Sequence, residues 1–196
     1  MKLILASGSP RRRELLGNLG LSFDIMIDNS EEEFARDEHP SETVKRLSMQ
    51  KALNIADRAD GDAVVIGADT VVSIDGKILG KPKDEAEAEE MLRRLSGRTN
   101  TVYTGLALVN KSSGRTVSDF EATDVKFRQL SDDEIKAYVR SGEPMDKAGA
   151  YGIQNLGALL IEGIDGDYFN VVGLPLCKLG IILERDFGVN VLVCAD

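Results

Sequence analysis

The sequence predicts an α/β protein with a mixed β-sheet. Short apolar runs lead straight into helical patterns, as Leu3–Ala6 does into Pro10–Leu19, the unit that builds parallel pairs. Turn signals at Asp75-Gly76, Asn110–Gly114 and Asp165-Gly166 mark hairpins, which build antiparallel pairs. A chain that carries both kinds of connection needs a mixed sheet, not a purely doubly wound one.

The elements follow in order. Leu3–Ala6 reads as a buried strand, and Pro10–Leu19 as a helix that Gly20 ends. Phe23–Ile27 is a second strand and Ser41–Ala59 a long helix. Ala63–Ile74 is one long strand or two broken ones. Asp84–Leu95 is a helix with Gly97 beyond its end. Thr99–Val109 and Thr116–Phe127 read as long paired strands around the Asn110–Gly114 turn. Ser131-Asp132-Asp133-Glu134 is a capping box that opens a helix to about Arg140. Ala158–Ile164 and Tyr168–Val172 read as a hairpin around Asp165-Gly166, and Pro175–Arg185 as the closing helix. There is no internal repeat, low-complexity segment or long linker, so residues 1–196 are expected to form a single domain.

Composition narrows the function. With 24 Lys and Arg against 33 Asp and Glu, the net charge is −9, which excludes binding of a nucleic-acid polymer through a broad basic surface. A local cationic pocket for a small anion remains compatible with that charge. Apolar runs are far short of the ~20 residues of a membrane span or the ~7–15 of a signal-peptide core. A cytoplasmic protein without a membrane partner is therefore expected. The two cysteines, Cys177 and Cys194, make no disulfide framework or zinc pattern and read as buried thiols. The one histidine, His39, precedes Pro40 at a helix start and is a poor candidate for a catalytic triad.

Several residues point to phosphate chemistry. In Leu5-Ala6-Ser7-Gly8-Ser9-Pro10-Arg11-Arg12-Arg13 a strand runs into a Ser/Gly loop and then a helix, with Ser9 as N-cap and Pro10 in the first turn. Free N–H groups, a positive helix end and arginines suit a phosphate. Arginines at a helix N-terminus cost stability unless an anion offsets them. Arg11 and Arg12 are thus candidate phosphate ligands, whereas Arg13 fits a solvated face.

Lys51 falls in direction between Val44 and Leu47, inside the apolar stripe of its helix, so it needs an anionic partner or must snorkel outward. Asp69 interrupts the buried run Ala63–Ala68 and Val71-Val72. A carboxylate there must be paired, bind a metal, shift its pKa or be held by turn amides. Glu31-Glu32-Glu33 is a solvated loop unless it meets Asp69, where carboxylate oxygens would suit a hard divalent cation. The small-residue loop from Glu143 to Gln154 carries Asp146, Lys147, Tyr151 and Gln154, polar heads on a backbone that a ligand can approach closely.

These segments resemble the Maf-type nucleotide pyrophosphatases. The likeness lies in Ala6-Ser7-Gly8-Ser9-Pro10-Arg11-Arg12, Gly67-Ala68-Asp69-Thr70, Gly80-Lys81-Pro82 and Asp146-Lys147-Ala148-Gly149-Ala150-Tyr151-Gly152-Ile153-Gln154. Gly166-Asp167-Tyr168 and Val172-Gly173-Leu174-Pro175 extend it over nearly the whole chain. The resemblance implies a bent mixed sheet flanked by helices, with a cleft between two lobes. The inosine-triphosphate pyrophosphatases share that architecture, but they carry an Asn and a Lys where this first loop has Ser9-Pro10-Arg11-Arg12.

The resemblance also implies an activity: hydrolysis of a nucleoside triphosphate to monophosphate and pyrophosphate. Asp69 matches the family's proton acceptor, and Arg12, Thr70 and Gln154 match positions that mark its dTTP/UTP branch. Ser7, Ser9, Arg11, Lys51 and Lys81 are the further expected substrate contacts, with Lys147 as an additional cation. A divalent cation, Mg²⁺ or Mn²⁺, is expected on Glu31 and Glu32 with Asp69 sharing it. A homodimer is allowed for. Two other readings stay open. One is a 7-methyl-GTP or other purine pyrophosphatase, against which Thr70 and Gln154 speak. The other is a non-catalytic nucleotide-binding regulator, since the family is linked by name to septum formation.

Overall fold

The structure is a computed structural model that describes residues 2–30 and 38–194. Among the described residues a seven-stranded sheet is flanked by helices. Strands β1 (Lys2–Leu5), β2 (Phe23–Ile25), β3 (Ala63–Ile74), β4 (Lys77–Leu79), β5 (Thr99–Asn110), β6 (Arg115–Phe127) and β7 (Ile161–Asp165) run in the order β2-β1-β3-β5-β6-β7, with β4 paired to β3 off that path. β1 pairs in parallel with β2 and β3, while β3–β4 and β6–β7 are antiparallel, so the sheet is mixed as its turns predicted. Ala63–Ile74 is a single strand of 12 residues.

The helices are α1 (Pro10–Gly17), α2 (Pro40–Ala56), α3 (Glu85–Leu95), α4 (Asp132–Arg140), α5 (Tyr168–Val172), α6 (Leu176–Phe187) and α7 (Val191–Cys194). Their starts follow the expected chemistry. Ser9 Oγ accepts from Arg12 N–H, and Ser131 and Glu134 form the reciprocal capping box. His39 is an N-cap: its Nδ1 accepts from Ser41 N–H at 3.3 Å, which accounts for the residue without catalysis.

Two expectations are overturned. Tyr168–Val172 is helix α5, not the second strand of a hairpin; β7 pairs with β6 instead. Its aromatic and β-branched residues favour a strand. However, Asp167 caps the turn by accepting from Phe169 N–H at 2.8 Å, and Asn170 donates inward to Val102 O and Thr123 Oγ1. Cys177 is exposed, not buried. In α6 the buried residues are Leu179, Ile182 and Leu183, and Cys177 lies two residues, about 200°, away from Leu179 around the helix.

The chain forms two compact units. The first comprises Met1–Asp69, Thr104–Glu121 and Gly173–Asp196; the second comprises Thr70–Tyr103 and Ala122–Val172. In the first, Ile4 and Ala6 of β1 and its extension, Ala52, Ile55 and Ala56 of α2, Ala63 and Val65 of β3 and Ala107 and Val109 of β5 share a core. In the second, α3 and α4 bury Leu92, Leu95, Ile135 and Val139 with Phe127, Tyr151 and Leu160. Phe127 and Tyr151 meet edge to face with centroids 4.7 Å apart.

Candidate active site

In β3, alternate residues face α2. Ala63 and Val65 pack on Ala52, Ile55 and Ala56, and Gly67 comes next on that face. A methyl on Gly67 would lie 2.3 Å from the Ser48 carbonyl oxygen and 2.9 Å from Ala52 Cβ, so only glycine lets helix and strand approach this closely. Asp69 is the following residue on the same face. Lys51, between Ser48 and Ala52 on the helix, reaches it: Lys51 Nζ donates to Asp69 Oδ1 at 2.5 Å. Their side chains are 16% and 8% exposed, so this is an ion pair largely withdrawn from water. Two oddities of the sequence, a lysine in an apolar stripe and an aspartate in an apolar strand, thus explain each other.

The loop after β1 sits against the same stretch of β3. Buried Ser7 Oγ accepts from Ser9 N–H at 3.2 Å and from Arg12 Nη1 at 3.3 Å. Arg12 also donates through Nε to Gly173 O at 2.7 Å and through Nη1 to Ala68 O at 2.9 Å. The first turn of α1 holds no acidic residue. Backbone carbonyls therefore supply part of the negative charge that an arginine here needs, and Arg12 ties the loop to the residue before Asp69. Arg11 is half-buried, and Arg13 is exposed as expected of a solvated face.

Asp28 lies close enough to feel the same lysine. Burial pushes its carboxyl up, but bonds from Ser30 and Asn54 and the charge of Lys51 hold it below its usual value. Ser30 also accepts from Asn54 Nδ2 at 3.3 Å, one turn along α2 from Lys51. Glu31 and Glu32 follow Ser30 and lie outside the described residues. Among the described residues no cluster of three or more His, Cys, Asp or Glu could hold a metal ion.

The second unit holds the remaining expected residues. Thr70 follows Asp69 in β3 and is half-buried, Lys81 is exposed, and Gln154 is half-buried. Gly80 O accepts from Gly149 N–H at 2.9 Å, which brings Gly80-Lys81-Pro82 beside the loop that carries Lys147 and Gln154. Lys147 turns inward: its Nζ donates to Glu143 O at 2.5 Å and Asp146 Oδ1 at 2.7 Å. Its stem runs over Gly152, where a methyl would lie 2.9 Å from Lys147 Cε. Lys147 therefore serves the loop's own structure. Three contributors were given no role by the sequence: Gly67, whose lack of a side chain admits α2, and Tyr138 and Glu143, which hold the backbone around Gln154. Only the break that Gly67 makes in the Val/Ile/Ala run was a signal.

The family described as Maf-like protein matches residues 2–185. A dTTP/UTP pyrophosphatase of Thermoanaerobacter sp. (strain X514) is 55% identical over 192 residues, which is 98% of this chain and 100% of that protein. A dTTP/UTP pyrophosphatase of Alkaliphilus metalliredigens is 50% identical over 191 residues, 97% of this chain and 99% of that one. Among solved structures, a nucleoside-triphosphatase / dITP/XTP pyrophosphatase from Mycobacterium abscessus matches with a TM-score of 0.46 at 15% identity, over 98% of this chain and 97% of that one.

Proposed function

The chain belongs to the Maf family, and on that premise we infer that it is a nucleoside triphosphate pyrophosphatase that hydrolyses dTTP and UTP. The observation that carries this reading is the full-length likeness, at 50–55% identity, to relatives named for that activity. Neither the purine-specific nor the non-catalytic reading has comparable support.

The geometry suggests how the chemistry runs. Asp69 orients a water and takes its proton as the water oxygen attacks the α-phosphorus in line. The bond from the α-phosphorus to the bridging oxygen breaks, and pyrophosphate leaves with that oxygen. The Lys51 ammonium lies against Asp69, so a phosphoryl oxygen brought to the carboxylate also meets a cation. The Ser7–Ser9 loop offers hydroxyls and the N-terminus of α1, with Arg11 and Arg12 beside it. Arg12 acts both through its charge and by fixing Ser7 and Ala68. Lys81, which is exposed, is a further candidate cation for the triphosphate.

A divalent cation, Mg²⁺ or Mn²⁺, would take carboxylate oxygens from Glu31 and Glu32 with Asp69. The described residues alone supply too small a donor set. What supports the assignment is that Ser30, the residue before Glu31 in the sequence, accepts from Asn54 of the lysine-bearing helix. When bound, the ion would neutralise charge on the phosphates.

Gln154 reads the base. Its amide offers one acceptor and two donors, which match the N3–H and O4 of uracil and thymine. Cytosine presents the reverse order, and Thr70 is the candidate for locking the amide. A nucleotide panel with pyrophosphate and phosphate measured separately tests this reading. We expect pyrophosphate from dTTP and UTP, kcat/KM roughly 10²-fold or more above CTP, and no turnover in excess chelator until Mg²⁺ or Mn²⁺ is restored. Phosphate as the first product, or binding without turnover, would overturn the activity.

A further inference from the structure

The segment from Gly152 to Gly157 closes on itself. A methyl on Gly157 would lie 2.0 Å from the Gly152 carbonyl oxygen and 2.8 Å from the Tyr138 hydroxyl. The same two side chains pin both ends of this loop. Gly152 N–H donates to the Tyr138 oxygen at 3.3 Å, and the Tyr138 hydroxyl donates to Glu143 Oε1 at 2.9 Å. Gly157 N–H donates to that same Oε1 at 3.1 Å, and Leu156 N–H donates to Oε2 at 3.1 Å.

Only Ile153, Gln154 and Asn155 lie between the pinned groups. Gln154 precedes the 3₁₀ turn Asn155–Leu160, and Asn155 has a φ of 54°, in the left-handed region. The N–H groups that Glu143 accepts belong to the first residues of that turn, where no intrahelical partner exists. Tyr138 is itself buried, and that burial, followed by the adjoining Glu143 carboxylate, raises its hydroxyl pKa, so it stays a donor at neutral pH. The result is a short loop with a strained member, held by a hydroxyl and a carboxylate rather than by sheet or helix.

We propose that Tyr138 and Glu143 are positioning residues for base selection: by bracing the Gly152–Gly157 loop they fix the Gln154 amide, so the preference for UTP over CTP depends on them while pyrophosphate release does not. The proposal rests on the reading of Gln154 as the base contact. A primary amide can present donor or acceptor to either pyrimidine if its backbone shifts, and displacements near 1 Å are enough to change which substrate is held well. Rejection of the mispaired base therefore needs the backbone of Gln154 to be stiff.

The test compares full-length wild type with Tyr138→Phe, Glu143→Gln, Glu143→Ala, Gln154→Ala and the double variant Tyr138→Phe/Gln154→Ala. Both kcat and KM are measured for UTP and CTP, and folding is checked by thermal melting. Tyr138→Phe and Glu143→Ala should lower the UTP:CTP ratio of kcat/KM by about tenfold, while kcat for UTP moves less than about threefold. Glu143→Gln keeps an acceptor oxygen and should fall between wild type and Glu143→Ala. The double variant should match Gln154→Ala alone, because the brace acts through that side chain.

If Gln154→Ala keeps the wild-type ratio, the base-reading role fails and this proposal falls with it. If Gln154→Ala collapses the ratio but Tyr138→Phe or a folded Glu143→Ala keeps it, the positioning role alone is overturned. Equal losses on UTP and CTP at an unchanged ratio overturn it too, since they mark a merely structural contact. If Glu143→Ala does not fold, Tyr138→Phe, which removes a single oxygen, decides.

Discussion

Lys51 and Asp69 are more costly to separate than to keep. Each charge is largely withdrawn from water, and each is the partner at hand for the other. Truncating Lys51 takes this cation away from a buried carboxylate, which costs about 3–5 kcal/mol. Lys51→Ala should therefore lower stability to urea by that order and also reduce pyrophosphate release. Replacing both, as Lys51→Met/Asp69→Leu, should recover much of the stability and none of the activity. If Lys51→Ala melts like wild type, the pair is solvated in solution and carries no burial penalty. Arg12 shows the same economy of contact: it fixes Ser7, Ala68 and Gly173 while its charge lies at the helix N-terminus.

The meeting of α2 and β3 depends on the absence of a side chain. Gly67→Ala would drive a methyl against Ser48 O and Ala52, and the neighbours are backbone and a short side chain, with little room to yield. A cost of about 1–3 kcal/mol follows for overpacking of this kind. Because Lys51 lies between those two contact residues, activity should fall more than stability explains; a variant with full activity would show that the helix shifts freely.

At the start of α4, the Arg128 guanidinium, then the Ser131 N–H and hydroxyl, hold the Glu134 carboxyl down to about 2 from 4.5. Its folded value lies below its unfolded one, so this stabilisation is complete above about pH 4.5 and is lost as pH falls toward 2. Glu134→Gln should lower Tm at neutral pH and converge on wild type near pH 2. An equal deficit at both pH values would contradict the assignment.

That capping box was legible in the sequence, because Ser131 and Glu134 satisfy each other within one turn. So were α2, β3 and the hairpin at Asp75-Gly76, where local pattern and tertiary context agree. Helix α5 was not, because its capping by Asp167 and the inward bonds of Asn170 override a strand-like composition. The same distinction separates the brace at Tyr138 and Glu143, built from contacts 13 and 14 residues apart, from the Ser7–Arg12 loop, built from near neighbours.

For the molecule as a whole, a chain of net charge −9 handles a polyanion by concentrating cations locally. In the first unit Lys51 pairs with the buried Asp69 carboxylate and Arg12, in the first turn of α1, donates to the carbonyl of Ala68 beside it, and no described helix is long and apolar enough to cross a membrane. Under the proposed mechanism, water activated at Asp69 attacks the α-phosphorus. Hydrolysis of UTP in ¹⁸O-labelled water, with both products analysed by mass, tests it most directly. One labelled oxygen is expected in the uridine monophosphate and none in the pyrophosphate, with turnover reduced by about 10²-fold or more in Asp69→Asn. Label in the pyrophosphate would place the attack on the β-phosphorus and contradict it, as would undiminished turnover in Asp69→Asn.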